Sequence, residues 1–213
     1  SLPSLVYGDD PQSDIDTICQ FLEAGINVIT TVGYMYPKSH GEDIYKRIAD
    51  ACIAGNSTFH STGLNPGWMG DVLPLCMTGL SRRIDAIKVL EITNFEFYPS
   101  PEVMFDMMGF GKTPEEFAKH TERYNFWLNG LFIENVQMIA DALEVNLDEI
   151  VSTTEQELTT EELKVAAGLV PAGTIAGQRW EWAGMKDGQK LISHETVWRM
   201  HRSIAPTWPD GKH

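Results

Sequence analysis

The chain has 213 residues, of which 43% are hydrophobic and 22% are charged. That balance fits a globular chain with a sizeable core and excludes the disordered, collagenous and coiled-coil classes. Acidic residues number 30 against 16 basic ones, a formal charge of -14, so a phosphate backbone is repelled and nucleic acid is not an expected partner.

Residues 4–8 (SLVYG) predict a short strand. Residues 12–24 predict a helix, with Ser13 or Asp14 near its cap, Ile15, Ile18, Phe21 and Leu22 at three-to-four spacing, and Gly25 as the stop. Residues 26–31 (INVITT) are rich in β-branched side chains and predict a strand. A helix over 40–54 and a third strand over 57–62 follow. Strand, helix, strand, helix, strand at this spacing is the pattern of a parallel sheet, in which ligands bind outside the carboxyl ends of the strands. Those ends are Thr30–Tyr36 and Ser61–Trp68.

Both ends carry unusual residues. Tyr34 and Tyr36 follow a parallel strand, where aromatic hydroxyls are poorly explained by core packing. Contact with a nicotinamide or substrate, or proton donation, is open to them. A phenol with its reference pKa near 10 is a weak acid unless the site perturbs it. His60 sits at the next strand end, as a cofactor-side residue or an ordinary turn histidine. Gly63-Leu64-Asn65-Pro66-Gly67-Trp68 reads as a strand-to-helix turn, with Asn65 as cap and Pro66 in the first turn of a helix. Backbone N–H groups there either face a cofactor or simply close the turn.

The second half begins with a helix over 69–80 bent at Pro74, then an extended segment over 83–98. The apolar, glycine-bearing segment 104–111 makes either a core corner or a pocket lining, since Met and Phe adapt to irregular cavities. Thr113-Pro114-Glu115-Glu116 is a helix start. A long helix over 123–143 carries Phe126, Leu128, Ile133, Val136, Ile139 and Leu143 as an apolar stripe. Residues 146–150 predict a helical turn. Strands follow over 150–158, 172–184 and 189–201, the last two joined at Lys186-Asp187-Gly188. Gln178, Trp180 and Trp182 share one strand face, opposite Arg179 and Glu181. The Trp faces cover the long helix, line a pocket, or form a subunit surface. The expected division is one domain over 1–80 and another over 81–213.

Cys19, Cys52 and Cys76 are odd in number and widely spaced, which argues against a disulfide scaffold or a structural zinc. Reduced thiols in a cytoplasmic protein are expected. The six histidines form no ligand cluster in sequence, so no metal site is assigned. No apolar run approaches the roughly 18 residues of a membrane span. Asp106, Glu96 and Glu181 are candidate carboxylates for an amine or ammonium group.

The segments Asn27–Thr31, TGLNPGW at 62–68, Asp71, MGFG at 108–111, GTIAGQRWEW at 173–182 and HETVWRMH at 194–201 carry a resemblance. Together they resemble the 2,4-diaminopentanoate dehydrogenase and native amine dehydrogenase family, which is similar to dihydrodipicolinate reductase in overall plan. The resemblance implies an α/β fold: the C-terminal half of a Rossmann-type parallel sheet, then a dihydrodipicolinate-reductase-like α+β domain with a mixed sheet. It implies NAD or NADP as cofactor, a small-molecule substrate and a homodimer. Hydride would pass between the nicotinamide and an amine- or carbonyl-bearing carbon.

By motif, Asn65, Pro66, Gly67 and Trp68 would lie beside the nicotinamide, with Thr30 and Thr31 ending the strand that leads to it. His60, Met108, Phe110, Arg179 and Trp180 are the candidate substrate-pocket residues. The chain departs from the family at one point. The glutamate expected just past the strand-end threonine is replaced by Val32-Gly33-Tyr34-Met35-Tyr36-Pro37. Tyr34 or Tyr36 would then serve the chemistry, or the substrate is not an amine, or the chain is a catalytically silent homologue that binds a nucleotide or small ligand or serves as an oligomeric scaffold. No G-x-G-x-x-G turn occurs, and about three parallel strands are predicted where a full Rossmann sheet has roughly six. The 213 residues are therefore expected to be a segment of a longer polypeptide.

Overall fold

The computed structural model describes residues 11–31 and 33–210. The strand expected over 4–8 lies outside them, as do the side chains of 123–127, Phe126 included. In chain order the elements are α1 (Pro11–Glu23), β1 (Val28–Thr30), α2 (Glu42–Gly55), β2 (Phe59–Ser61), α3 (Leu73–Thr78), β3 (Ile87–Asn94), α4 (Pro114–Lys119), α5 (Thr121–Ala142), β4 (Glu149–Leu158), β5 (Leu163–Val165), β6 (Gly168–Val170), β7 (Ile175–Lys186) and β8 (Gln189–Arg199). They fall into two compact units. One holds the residues up to Ile87 with Asn129–Ile150 and Gly184–Ile192; the other holds Lys88–Leu128, Val151–Ala183 and the residues from Ser193 onward.

In the first unit β1 and β2 pair in parallel, Val28 opposite Phe59 and Thr30 opposite Ser61. The helical period of α1 points Ile15, Ile18 and Leu22 inward, where they meet Ile48 and Ala51 of α2 and Val28 of β1. The helices approach closely at Gly55: a Cβ there would lie 1.8 Å from the carbonyl oxygen of Leu22. Asn56, in the left-handed region at φ 48°, ends α2. The Ser57 hydroxyl then donates to the Leu22 carbonyl at 2.8 Å.

The predicted helix around Pro66 is not formed. Asn65 (φ -158°, ψ 112°), Pro66 (φ -59°, ψ 156°) and Gly67 (φ 129°, ψ -120°) are all non-helical, and the Asn65–Pro66 peptide is cis. Proline compatibility with a first helical turn was the wrong signal here, because Gly67 reverses the chain directly after it. The segment expected as a helix over 69–80 is helical over most of its length: a π-helical stretch runs to Val72 and α3 continues it to Thr78, with Pro74 at the start of α3.

Four strands form a sheet in the order β3-β8-β7-β4. The β7–β8 connection places Asp187 at φ 51° and Gly188 at φ 73°, the left-handed pair that a two-residue hairpin requires. Gln178, Trp180 and Trp182 are buried on one face of β7, with Arg179 and Glu181 half-buried on the other. The Trp180 and Trp182 rings lie parallel, 5.9 Å apart. Residues 146–150 are not a helical turn: β4 begins at Glu149. A small antiparallel pair, β5 with β6, was not anticipated. Thr113 caps α4 through a reciprocal box with Glu116, as its sequence indicates.

Candidate functional site

The loop after β1 and the turn after β2 leave the same ends of two parallel strands. They remain linked beyond the strands: Thr62 N–H donates to the Thr30 carbonyl at 3.0 Å, and the Ser61 hydroxyl donates to the Gly33 carbonyl at 2.6 Å. Thr30 is buried and Thr31 exposed. The turn closes on a bond from Trp68 N–H to the Gly63 carbonyl at 2.9 Å. Pro66 and Gly67 are buried in it, whereas Leu64 and Trp68 are 71% and 52% exposed. Large apolar side chains this open to water at strand carboxyl ends mark a surface suited to an apolar ring.

Two consecutive residues of α5 anchor these connections. Glu134 is 1% exposed. Its Oε1 accepts the Tyr34 N–H at 2.9 Å and its Oε2 accepts the Tyr36 N–H at 2.7 Å. His40 Nε2 lies 2.7 Å from Oε1. Asn135, also 1% exposed, donates through Nδ2 to Asp71 at 3.0 Å. Asp71 also accepts the backbone N–H groups of Val72 and Gly67. Burial raises the Asp71 pKa above the ordinary carboxylate value, against the pull of these hydrogen bonds. One turn of a helix thus fixes both connections, the first through Glu134 and the second through Asn135 and Asp71.

The two tyrosines differ in their commitments. The Tyr36 hydroxyl donates to Asp141, which also accepts from Gln137 at 2.7 Å. Tyr34 packs its ring against the α1–α2 core and 4.8 Å from the His40 ring, and its hydroxyl has no hydrogen-bond partner among the described residues. Both phenols are pushed up to about 12, each by burial first; nearby carboxylates add to this at both. Both are neutral near pH 7, so either can donate a hydrogen bond but neither readily releases its proton.

The other predicted site residues have different settings. His60 is exposed on β2, opposite Ile29. Met108, Phe110 and Trp180 lie in the second unit, 5%, 0% and 2% exposed. The Met108 carbonyl accepts from Gln178 Nε2 at 2.5 Å, and Trp180 Nε1 donates to Gln178 Oε1 at 2.9 Å. Arg179 is paired with Glu195 at 2.7 Å and Glu155 at 3.4 Å. Among the described residues no group of three or more His, Cys, Asp or Glu could hold a metal ion.

Sequence reasoning did not single out Glu134 or Asn135. A signal was present, since both are polar residues inside the apolar period of α5, between Leu131 and Ile139. Periodicity marks such positions as buried, but not which backbone groups they satisfy.

The fold and site define an α/β protein in which parallel strands with anchored loops accompany a mixed sheet. The match to the 2,4-diaminopentanoate dehydrogenase C-terminal domain covers residues 68–205, and the chain belongs to that family. It is 29% identical to an amine dehydrogenase of Streptomyces virginiae over 95% of this chain and 58% of that protein. It is also 29% identical to 2,4-diaminopentanoate dehydrogenase of Acetoanaerobium sticklandii, over 83% of this chain and 50% of that protein. The amine dehydrogenase from Mycobacterium smegmatis shares the fold, with a TM-score of 0.74 at 15% identity, covering 94% of this chain and 57% of that one. The chain thus spans half to three fifths of the length of these relatives.

Proposed function

We propose that this chain supplies the nicotinamide-side and substrate-side surfaces of an NAD(P)-dependent oxidoreductase acting on an amine- or carbonyl-bearing carbon. The observation that carries the reading is the shared anchor: Glu134 and Asn135 fix both loops at the carboxyl ends of β1 and β2. Preorganised loops at that position suit a reaction whose barrier falls when two reactants are held in line.

The residues fit the nicotinamide end of a dinucleotide. Thr31, Asn65 and Trp68 combine polar groups with an exposed aromatic face, while Pro66 and Gly67 shape the turn beneath them. No pyrophosphate-binding G-x-G-x-x-G turn occurs in the sequence, so the contribution of this chain is to that end alone. When bound, the dinucleotide would supply the hydride chemistry. Tyr34 would donate a neutral hydrogen bond to the substrate heteroatom, a role better suited to it than to Tyr36, whose hydroxyl is engaged by Asp141. Both oxygens of Glu134 accept backbone bonds from the loop after β1, so that carboxylate is assigned to positioning rather than to proton transfer. A non-amine substrate is the second reading. It is favoured by the same observation, since no carboxylate in this constellation is left for an ammonium group.

The test is an assay of the intact protein with NADH and NADPH, using carbonyl compounds with and without ammonia, then amines and alcohols. Ammonia-dependent NAD(P)H consumption is expected, with Tyr34→Phe losing about tenfold or more in kcat/KM. Turnover of alcohols alone would move the assignment to the second reading. No turnover, with nicotinamide binding retained, would identify a silent homologue.

A further inference from the structure

The second unit contains a cleft of about 390 Å³ at the end of β3 and β8, with Ile92, Thr93, Asn94, Arg199, Arg202 and Asp210 on its walls. That volume lies within the range of about 300–1,000 Å³ common for small-molecule sites. Its inner wall is Arg199, a guanidinium that is 6% exposed. Nε donates to the Ile204 carbonyl at 2.8 Å, and Nη2 donates to the carbonyls of Ala205 at 3.2 Å and Pro209 at 2.9 Å. The Trp208 ring centroid lies 5.8 Å from the guanidinium carbon. These contacts to three carbonyls fix the guanidinium plane, with the Asp210 carboxylate acting on it only through its charge, and Nη1 takes part in none of the three hydrogen bonds.

The lining also carries Arg202, which is exposed and forms no salt bridge with a described residue. Asn94 is occupied by Glu96 through both its amide nitrogen and its oxygen. The Thr93 hydroxyl donates to Glu91. The arginines are therefore the donors left for a ligand. Two guanidiniums against the single carboxylate of Asp210 leave the lining one net positive charge, in a chain whose formal charge is -14. Ile92 and Pro206 add an apolar side.

We propose that this cleft is a binding site for a small aliphatic monocarboxylate, held between Arg199 Nη1 and Arg202 with its hydrocarbon end on Ile92 and Pro206. One net charge matches one carboxylate, and a guanidinium already fixed in place loses little rotamer freedom on binding. The burial of Arg199 keeps its field from being screened as a surface arginine would be. All the lining residues belong to the second unit, and the site does not rest on the activity proposed above.

Butyrate and inorganic phosphate, titrated separately into nitrogen-15-labelled protein, test it. The readout is the Arg199 Nε–H signal, which its bond to Ile204 protects from exchange. Butyrate should shift this signal saturably and bind more tightly than phosphate. Arg202→Gln, at an exposed position that leaves the fold intact, should weaken butyrate about tenfold, the scale of one charge-assisted contact. A linear, non-saturating shift, equal or tighter binding of phosphate, or an unchanged butyrate affinity in Arg202→Gln would each overturn the proposal.

Discussion

Glu134 shows how one side chain can set the shape of a loop. Its carboxylate is buried and accepts two backbone N–H groups, from Tyr34 and Tyr36, that would otherwise lack partners. Glu134→Gln keeps the size but presents an amide NH₂ to one of those N–H donors. The expected cost is about 1–3 kcal/mol, read as a lower denaturation midpoint. His194 acts through burial instead. It is 1% exposed, and desolvation pushes its pKa down from 6.5 to about 4. Between those values the unfolded chain binds a proton that the native chain does not, so stability falls as the pH drops from 6.5 to 4. The loss through this residue is about 3 kcal/mol. His194→Gln should flatten the slope of stability against pH in that window, measured by urea denaturation; an unchanged slope would place the pH dependence elsewhere. Neither role is written in the local sequence, because each depends on residues far along the chain or on how much water the fold excludes.

At the scale of elements, the close pair α1–α2 and the capped helix α4 respond differently to single substitutions. Gly55→Ala would put a methyl group 1.8 Å from a backbone oxygen of α1. Backbone cannot step aside as a side-chain tip does, so a loss of about 3 kcal/mol or more is expected. Thr113→Ala removes one half of the α4 capping box and should cost about 1 kcal/mol. Thermal melts of the two variants should therefore separate clearly. The Thr113 cap and the Asp187-Gly188 hairpin could be read from sequence because both are decided by a few adjacent residues. The Asn65–Gly67 turn could not. Asn and Pro are equally at home at a helix start, and the choice falls to Asp71, which accepts the Gly67 N–H and is itself held by Asn135.

For the whole molecule, the excess of acidic residues outweighs any local detail in governing long-range encounters. With a formal charge of -14, the protein should bind an anion exchanger at low salt and leave duplex DNA unretarded in a gel shift. A retarded band that disappears at high salt would show a basic face that the net charge conceals. Among the described residues no helix is long and apolar enough to cross a membrane. The sequence by itself determined the parallel pairing pattern, the long apolar-striped helix, the hairpin and the family resemblance. Periodicity, turn chemistry and short motifs are local, and local forces are enough to decide them. Tertiary structure alone decided that Glu134 and Asn135 hold the two loops, that Tyr36 is engaged by Asp141, and that Arg199 faces a cleft with its guanidinium plane fixed. Those outcomes depend on which polar groups find one another once the chain is folded, across many tens of residues for Glu134, Asn135 and Tyr36, and the requirement that buried ones be satisfied is a property of the folded interior.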